Sequence, residues 1–156
     1  MLEKELKLDL GIKGKKAVVC ASSKGLGLGC AVALAEAGVD LVINSRDPKN
    51  LEIAANLLRN NYQICVETVV ADITTKGGQE AVLKKAENNL DILVTNAGGP
   101  PPGLWSDWTR SDLIMALDAH MLTPIALMKE VLPGMIDKGW GRIVNITSQS
   151  VKAPIP

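Results

Sequence analysis

Five short apolar runs separated by helical patterns predict a doubly wound α/β fold on a parallel sheet. The runs Val18–Ala21, Asp40–Asn44, Ile64–Val70, Ile92–Thr95 and Arg142–Ile146 are rich in Val and Ile. That composition suits parallel strands buried on both faces. The second observation is the turn Ala21-Ser22-Ser23-Lys24-Gly25-Leu26-Gly27, placed between the first run and a helical pattern over Cys30–Ala37. A glycine turn between strand and helix lets backbone N–H groups and the positive helix end face a phosphate.

The other elements follow in order. Asp47 is placed as an N-cap and Pro48 as the first helical residue. Leu51, Ala54, Ala55 and Leu58 then recur at helical spacing. A second crossover helix is expected over about Thr75 to Asn88, and a long third from about Ser111 to Ile136, with Pro124 able to kink or break it. The segment Gly98-Gly99-Pro100-Pro101-Pro102-Gly103 is a stiff loop after the fourth run, on the carboxyl edge where open α/β sheets bind ligands.

Composition excludes several classes. The 156 residues fit one domain, 1–156, and 17 basic residues balance 17 acidic ones, leaving no electrostatic footprint for nucleic acid or an anionic membrane. Cys20, Cys30 and Cys65 make no C-x-x-C pair, and Cys20 and Cys65 lie in apolar runs, so all three read as inert core thiols in a reducing compartment. His120 is the sole histidine, which leaves no metal cluster. The start, Met1 to Lys7, is charged, and no window reads as a membrane span, so the expectation is a cytoplasmic protein.

Four local patterns fall in order on this scaffold: the glycine turn, Arg46 after the second run, Asp72-Ile73 after the third, and Asn96-Ala97-Gly98 after the fourth. With Asn145-Ile146-Thr147-Ser148 ending the fifth, the chain from Leu10 onward resembles the short-chain dehydrogenase/reductase family, most closely its 3-oxoacyl-[acyl-carrier-protein] reductases. The resemblance implies a Rossmann fold that binds a nicotinamide dinucleotide and interconverts a carbonyl and a secondary alcohol on a small-molecule substrate. Family members continue by about another hundred residues, so the chain reads as an amino-terminal portion truncated after the fifth strand.

In the family's T-G-x-x-x-G-x-G pattern, Cys20 and Ala21 occupy the first two positions, and Gly25 and Gly27 match the rest. Ala21 stands where glycine is usual, so the turn is expected to avoid positive φ there. Gly29 is assigned to close helix–sheet packing. The resemblance assigns Ala21 to Gly27 to the pyrophosphate, Asp72 and Ile73 to adenine, and Asn96, Ala97 and Gly98 to the cofactor ribose. Thr95 replaces the Asn common before that segment. NAD-dependent relatives carry an acid near the end of the second strand, whereas this chain has Ser45 followed by Arg46. A guanidinium pairs with a 2′-phosphate that a carboxylate would repel, and Lys24 supplies a second base, so NADP is the expected cofactor.

For the catalytic half, the resemblance aligns Ser148 with the serine that holds the substrate oxygen, and His120 with an asparagine of the proton relay. The family's Y-x-x-x-K pair does not occur in the chain; Tyr62 is its one tyrosine. An inactive or atypical nucleotide-binding member, acting as sensor or partner subunit, is the alternative. The long helix carries Leu113, Ile114, Leu117, Met121, Leu122, Ile125, Leu127 and Met128. Core packing is expected to use at least half of them, and a homodimer or homotetramer contact the rest. Trp105 and Trp108 are candidates for a substrate mouth or an interface.

Overall fold

The computed structural model describes residues 9–87, 90–99 and 103–153. Five parallel strands form one sheet in the order β3-β2-β1-β4-β5: β1 Lys16–Val19, β2 Asp40–Ser45, β3 Val66–Val70, β4 Ile92–Thr95 and β5 Arg142–Asn145. Helices α1 Gly25–Glu36, α2 Pro48–Asn61, α3 Lys76–Lys85, α4 Arg110–Leu117 and α5 Thr123–Asp137 connect them. The order reverses between β1 and β4. Successive connections therefore leave the sheet in opposite directions there, and a crevice opens at the carboxyl ends of those two strands.

Alternation along the strands divides the core into two layers. Ala17, Val19, Leu41, Ile43, Ile92 and Val94 face α1 and α2, where Ala31, Ala35, Leu51, Ala55 and Leu58 close the layer. Val18, Cys20, Val42 and Leu93 face the other side, against Val82, Ala86, Leu127, Val131 and Met135. Only β1, β2 and β4 are covered on both faces; β3 is partly buried at one edge, and in β5 only Ile143 reaches intermediate burial. The expectation of strands buried on both faces holds for the central three alone.

Capping follows the sequence closely. Asp47 accepts from the Lys49 and Asn50 N–H groups, with Pro48 opening α2. Thr75 caps α3, and Thr109 with Asp112 forms a capping box on α4. Pro124 does not break the long helix. Residues Asp118–Leu122 instead widen into a π-helical turn, in which the Thr123 N–H reaches the Asp118 carbonyl. Pro124 has no N–H to offer the His120 carbonyl, and one wide turn absorbs the mismatch. The run Arg110–Asp137 spans 28 residues at a window hydropathy of 1.2, long and apolar enough by composition to cross a membrane. That corrects the expectation that no window reads so. Its second half packs Leu127, Val131 and Met135 against the sheet.

Three further expectations fail. Ala21 does adopt positive φ, at 48°, because the turn that a glycine would make easily must be made here whatever residue occupies it. Gly29 is exposed, and a Cβ there would meet nothing within 4 Å. The close approach belongs to Gly27, where a Cβ would collide with the Ala21 carbonyl oxygen and come within 2.9 Å of the Asn96 amide nitrogen. Cys65 is exposed at the entrance to β3, and Cys30 is half-buried; only Cys20 is a core thiol, its pKa pushed up to about 12 by burial, against a partial offset from the Asn96 backbone N–H.

At the amino edge of the sheet, Asp91 joins three elements. One oxygen accepts from the Lys16 N–H at 3.0 Å, and the other holds Lys138 Nζ at 2.9 Å, with Lys15 Nζ at 3.8 Å. Burial opposes ionisation of Asp91, but these donors and charges outweigh it and hold the carboxyl below the ordinary range. A depressed carboxylate stabilises the fold above its unfolded-state pKa, and that contribution is lost as pH falls through the lower folded value. The wild type should therefore lose stability below about pH 4 more steeply than Asp91→Asn, as read by urea denaturation across pH 2.5–6. Equal slopes would exclude the role.

An alanine in the left-handed region costs about 1 kcal/mol relative to glycine. Ala21→Gly should raise the unfolding free energy by up to about that amount in thermal or denaturant unfolding, with no loss of fold.

Candidate nucleotide-binding site

The buried amide of Asn44 builds the site's floor. It is 1% exposed and sits near the end of β2. Its Nδ2 donates to the Val69 and Ala71 carbonyls at 3.1 and 2.9 Å, and its Oδ1 lies 3.5 Å from the Ala21 N–H. The Ser22 hydroxyl donates to the Val19 carbonyl at 2.7 Å and accepts from the Asn44 N–H at 3.1 Å. From the other side, Asn96 Nδ2 donates to the Ala21 carbonyl at 3.3 Å. The glycine turn is thus tied to the ends of β2, β3 and β4.

Above this floor lies a cavity of about 730 Å³. Its walls are the turn (Ala21 and Ser23 to Leu26), the exit of β2 (Asn44 to Arg46), the exit of β3 (Ala71 to Thr74), the exit of β4 (Asn96 to Gly99), and one face of the long helix including Asp112, Asp118 and His120. Most residues expected to hold a cofactor therefore meet in one place. Ser22 and Gly27 stand behind the turn and do not line the cavity: the serine hydroxyl points into the protein, and Gly27 is where helix and turn touch. Of these wall residues His120 was singled out in the sequence, whereas Asn44, Asp112 and Asp118 were not. A polar residue closing an apolar strand was the available signal for Asn44; nothing local marks Asp112 or Asp118 as wall residues.

The donor chemistry of the turn fits a phosphate. α2, α3 and α4 each begin on a side chain that accepts from their first N–H groups, whereas α1 begins at Lys24 without one. Gly25, at φ 58°, turns the backbone into that helix with open space above it. The free N–H groups and positive helix end therefore face the cavity without a resident partner.

At the far end of the cavity, Ser23 Oγ donates to Ser45 Oγ at 2.9 Å, and the Asp47 N–H donates to the same Ser45 oxygen at 3.2 Å. Arg46 Nη1 lies 3.6 Å from Asp72 Oδ2. Asp72 Oδ1 accepts from both the N–H and the hydroxyl of Thr74, at 3.0 and 2.7 Å. Burial raises the Asp72 pKa, but the Thr74 bonds and the Arg46 charge outweigh it, so the carboxyl stays below the ordinary range. Ile73 is buried beside it.

The catalytic candidates are less well assembled. His120 lines the cavity from the π-helical turn. Ser148 lies past the end of β5, exposed and outside the cavity wall, with its hydroxyl 2.6 Å from Ser150 Oγ. Thr95 donates to Asn145 Oδ1 at 2.7 Å, clasping the ends of β4 and β5 beneath it. Tyr62 packs against the first core layer at the end of α2, as a framework residue. Among the described residues no group of three or more His, Cys, Asp or Glu is placed to hold a metal. The proline segment 100–102 and the Trp105 side chain lie outside the described residues. Trp108 is 38% exposed, its ring nitrogen 3.3 Å from where a Cβ on Gly103 would be.

The geometry has close counterparts. The structure superposes on L-sorbose reductase from Gluconobacter frateurii, solved in complex with NADPH and L-sorbose, with a TM-score of 0.88 and 29% identity, over 95% of this chain and 57% of that one. A 3-oxoacyl-[acyl-carrier-protein] reductase of Rickettsia typhi is 31% identical over 86% of this chain and 54% of its own length. The human inactive hydroxysteroid dehydrogenase-like protein 1 is 29% identical over 92% of this chain and 44% of its own. The chain thus spans about half the length of these relatives. The short chain dehydrogenase family model matches residues 15–156, and the chain belongs to that family of oxidoreductases.

Proposed function

We propose that the chain forms the cofactor half of an NADP(H)-dependent oxidoreductase that interconverts a carbonyl and a secondary alcohol. The observation that carries the reading is the single cavity in which an uncapped helix start, two serine hydroxyls and the Arg46 guanidinium converge. The N–H groups of the turn would hold the pyrophosphate, and Arg46 with Lys24, Ser23 and Ser45 the 2′-phosphate. Asp72 and Ile73 would meet the adenine, and Asn96, Ala97 and Gly98 the ribose. The bound nicotinamide supplies the hydride chemistry. Ser148 would hold the substrate oxygen once its hydroxyl turns from Ser150, and His120 would carry a proton along the helix wall. Reduction of a 3-oxoacyl thioester is one candidate reaction, given the Rickettsia relative.

A second reading is a nucleotide-binding member without catalysis. Two observations favour it: His120 stands where the resemblance places the asparagine of the proton relay, and an inactive human protein is among the relatives. One experiment separates the two. NADPH and NADH binding is measured by calorimetry on the full-length protein, followed by turnover on β-ketoacyl thioesters, keto sugars and quinones. NADPH should bind at least about tenfold more tightly than NADH, and Arg46→Ala should remove most of that difference. Binding with turnover supports the enzyme; binding without turnover on any substrate supports the second reading.

Cytoplasmic location and self-association belong to the same proposal. Leu127 is buried and Met128 packs on the sheet, but Leu113, Ile114, Leu117, Met121, Leu122 and Ile125 are 38–53% exposed. The core thus takes two of the eight apolar residues read from this helix, fewer than the half expected from sequence. A face this apolar suits a contact between copies. Analytical ultracentrifugation should read a dimer or tetramer at micromolar concentration, and Met121→Lys should shift it toward monomer; a monomeric wild type would refute the contact.

A further inference from the structure

The Arg46 side chain lies across the cavity mouth rather than along its rim. It leaves the end of β2, yet its Nη2 comes within 3.7 Å of where a Cβ on Gly98 would sit, beyond β4. Its Nη1 meets Asp72, beyond β3. The guanidinium therefore bridges the exits of three strands over the space where the adenosine end of a dinucleotide would enter. Asp72 is the fixed partner. Its Oδ1 is held by two bonds from Thr74, its carbonyl accepts from the Thr75 N–H at 3.1 Å and hydroxyl at 2.8 Å, and Gly78 allows no Cβ against that carbonyl. Arg46 is the yielding one, with a side chain 73% exposed and a single long contact.

We propose that Asp72 is a specificity-determining residue that restrains Arg46, so that a 2′-phosphate must draw the guanidinium away from the carboxylate before pairing with it. The inference rests on the NADP reading above and adds to it a competitor inside the site. A lone exposed contact of this kind orients an arginine only weakly. A carboxylate a few ångströms from an incoming dianion opposes it more strongly than that orientation helps. Removing the charge should therefore strengthen 2′-phosphate recognition. Any contact of Asp72 with adenine is common to ligands with and without the 2′-phosphate, and cancels in their ratio.

The test measures dissociation constants of adenosine 2′,5′-bisphosphate and 5′-AMP, and of NADPH and NADH, by calorimetry on the whole chain. Asp72→Asn keeps an oxygen for the Thr74 donors and loses the charge. Its preference for the 2′-phosphorylated member of each pair should rise about three- to tenfold over wild type. In an Arg46→Ala background the same substitution should change the preference by less than about twofold, the signature of two residues acting as a unit. If Asp72→Asn does not fold by circular dichroism, Asp72→Ser, whose hydroxyl also accepts from Thr74, carries the test. An unchanged or reduced preference overturns the inference, as does an equal rise without Arg46. A wild type that binds the ligands without preference, together with an Asp72→Asn variant that gains one, counts against the NADP reading but for the restraint. Failure of all four ligands to bind overturns both.

Discussion

One buried side chain holds the carboxyl edge of the sheet in register. Asn44 lies among apolar strands, where an unpaired amide would be costly. Its amide finds partners on β3 and the glycine turn, and its backbone N–H is met by Ser22. Those partners fix the turn in a shape that forces Ala21 into the left-handed region and brings its carbonyl against Gly27. The start of α1 is then aimed at the cavity, and the exits of β2 and β3 are set side by side. Among the described residues, no buried side-chain nitrogen or oxygen is left without a partner.

The two edges of the sheet use charge in opposite ways. At the amino edge, Asp91 ties the start of β1, through the Lys16 N–H and the Lys15 ammonium, to Lys138 at the end of α5, in an arrangement that serves stability. At the carboxyl edge the charges are left incompletely matched. α1 starts without a cap, Lys24 is exposed, and Arg46 has one long contact. Open donors of this kind are a cost to a free protein and a resource to one that binds an anion. The helix wall across the cavity adds Asp112, Asp118 and His120, so positive and negative sides face each other over the space between.

The legible part of the molecule was the part governed by local chemistry. Asp47 and Pro48 mark a helix start because a short carboxylate and a fixed φ satisfy the same orphan N–H groups wherever they occur. The Val- and Ile-rich runs were found to within two residues at every end. Pro124 was recognised as a disturbance, but whether it breaks a helix or widens one turn depends on what the helix packs against. Gly27 and Gly29 look alike in the sequence. Only the position of the Ala21 carbonyl makes one indispensable and leaves the other in solvent. Cys65 and Cys20 both sit in apolar runs, and the difference between the middle and the edge of a sheet separates them.

The sequence by itself determined the alternation of strands and helices, the cap of α2, the glycine turn after β1 and the presence of a base rather than an acid after β2. Each follows from spacing and residue chemistry within a few positions. The tertiary structure decided which of those residues face one another. It turned Ser22 inward, gave Gly27 its contact, placed Ser148 outside the cavity wall and set Arg46 against Asp72. These are distances between residues tens of positions apart, fixed by strand order and crossover packing, and no local pattern encodes them.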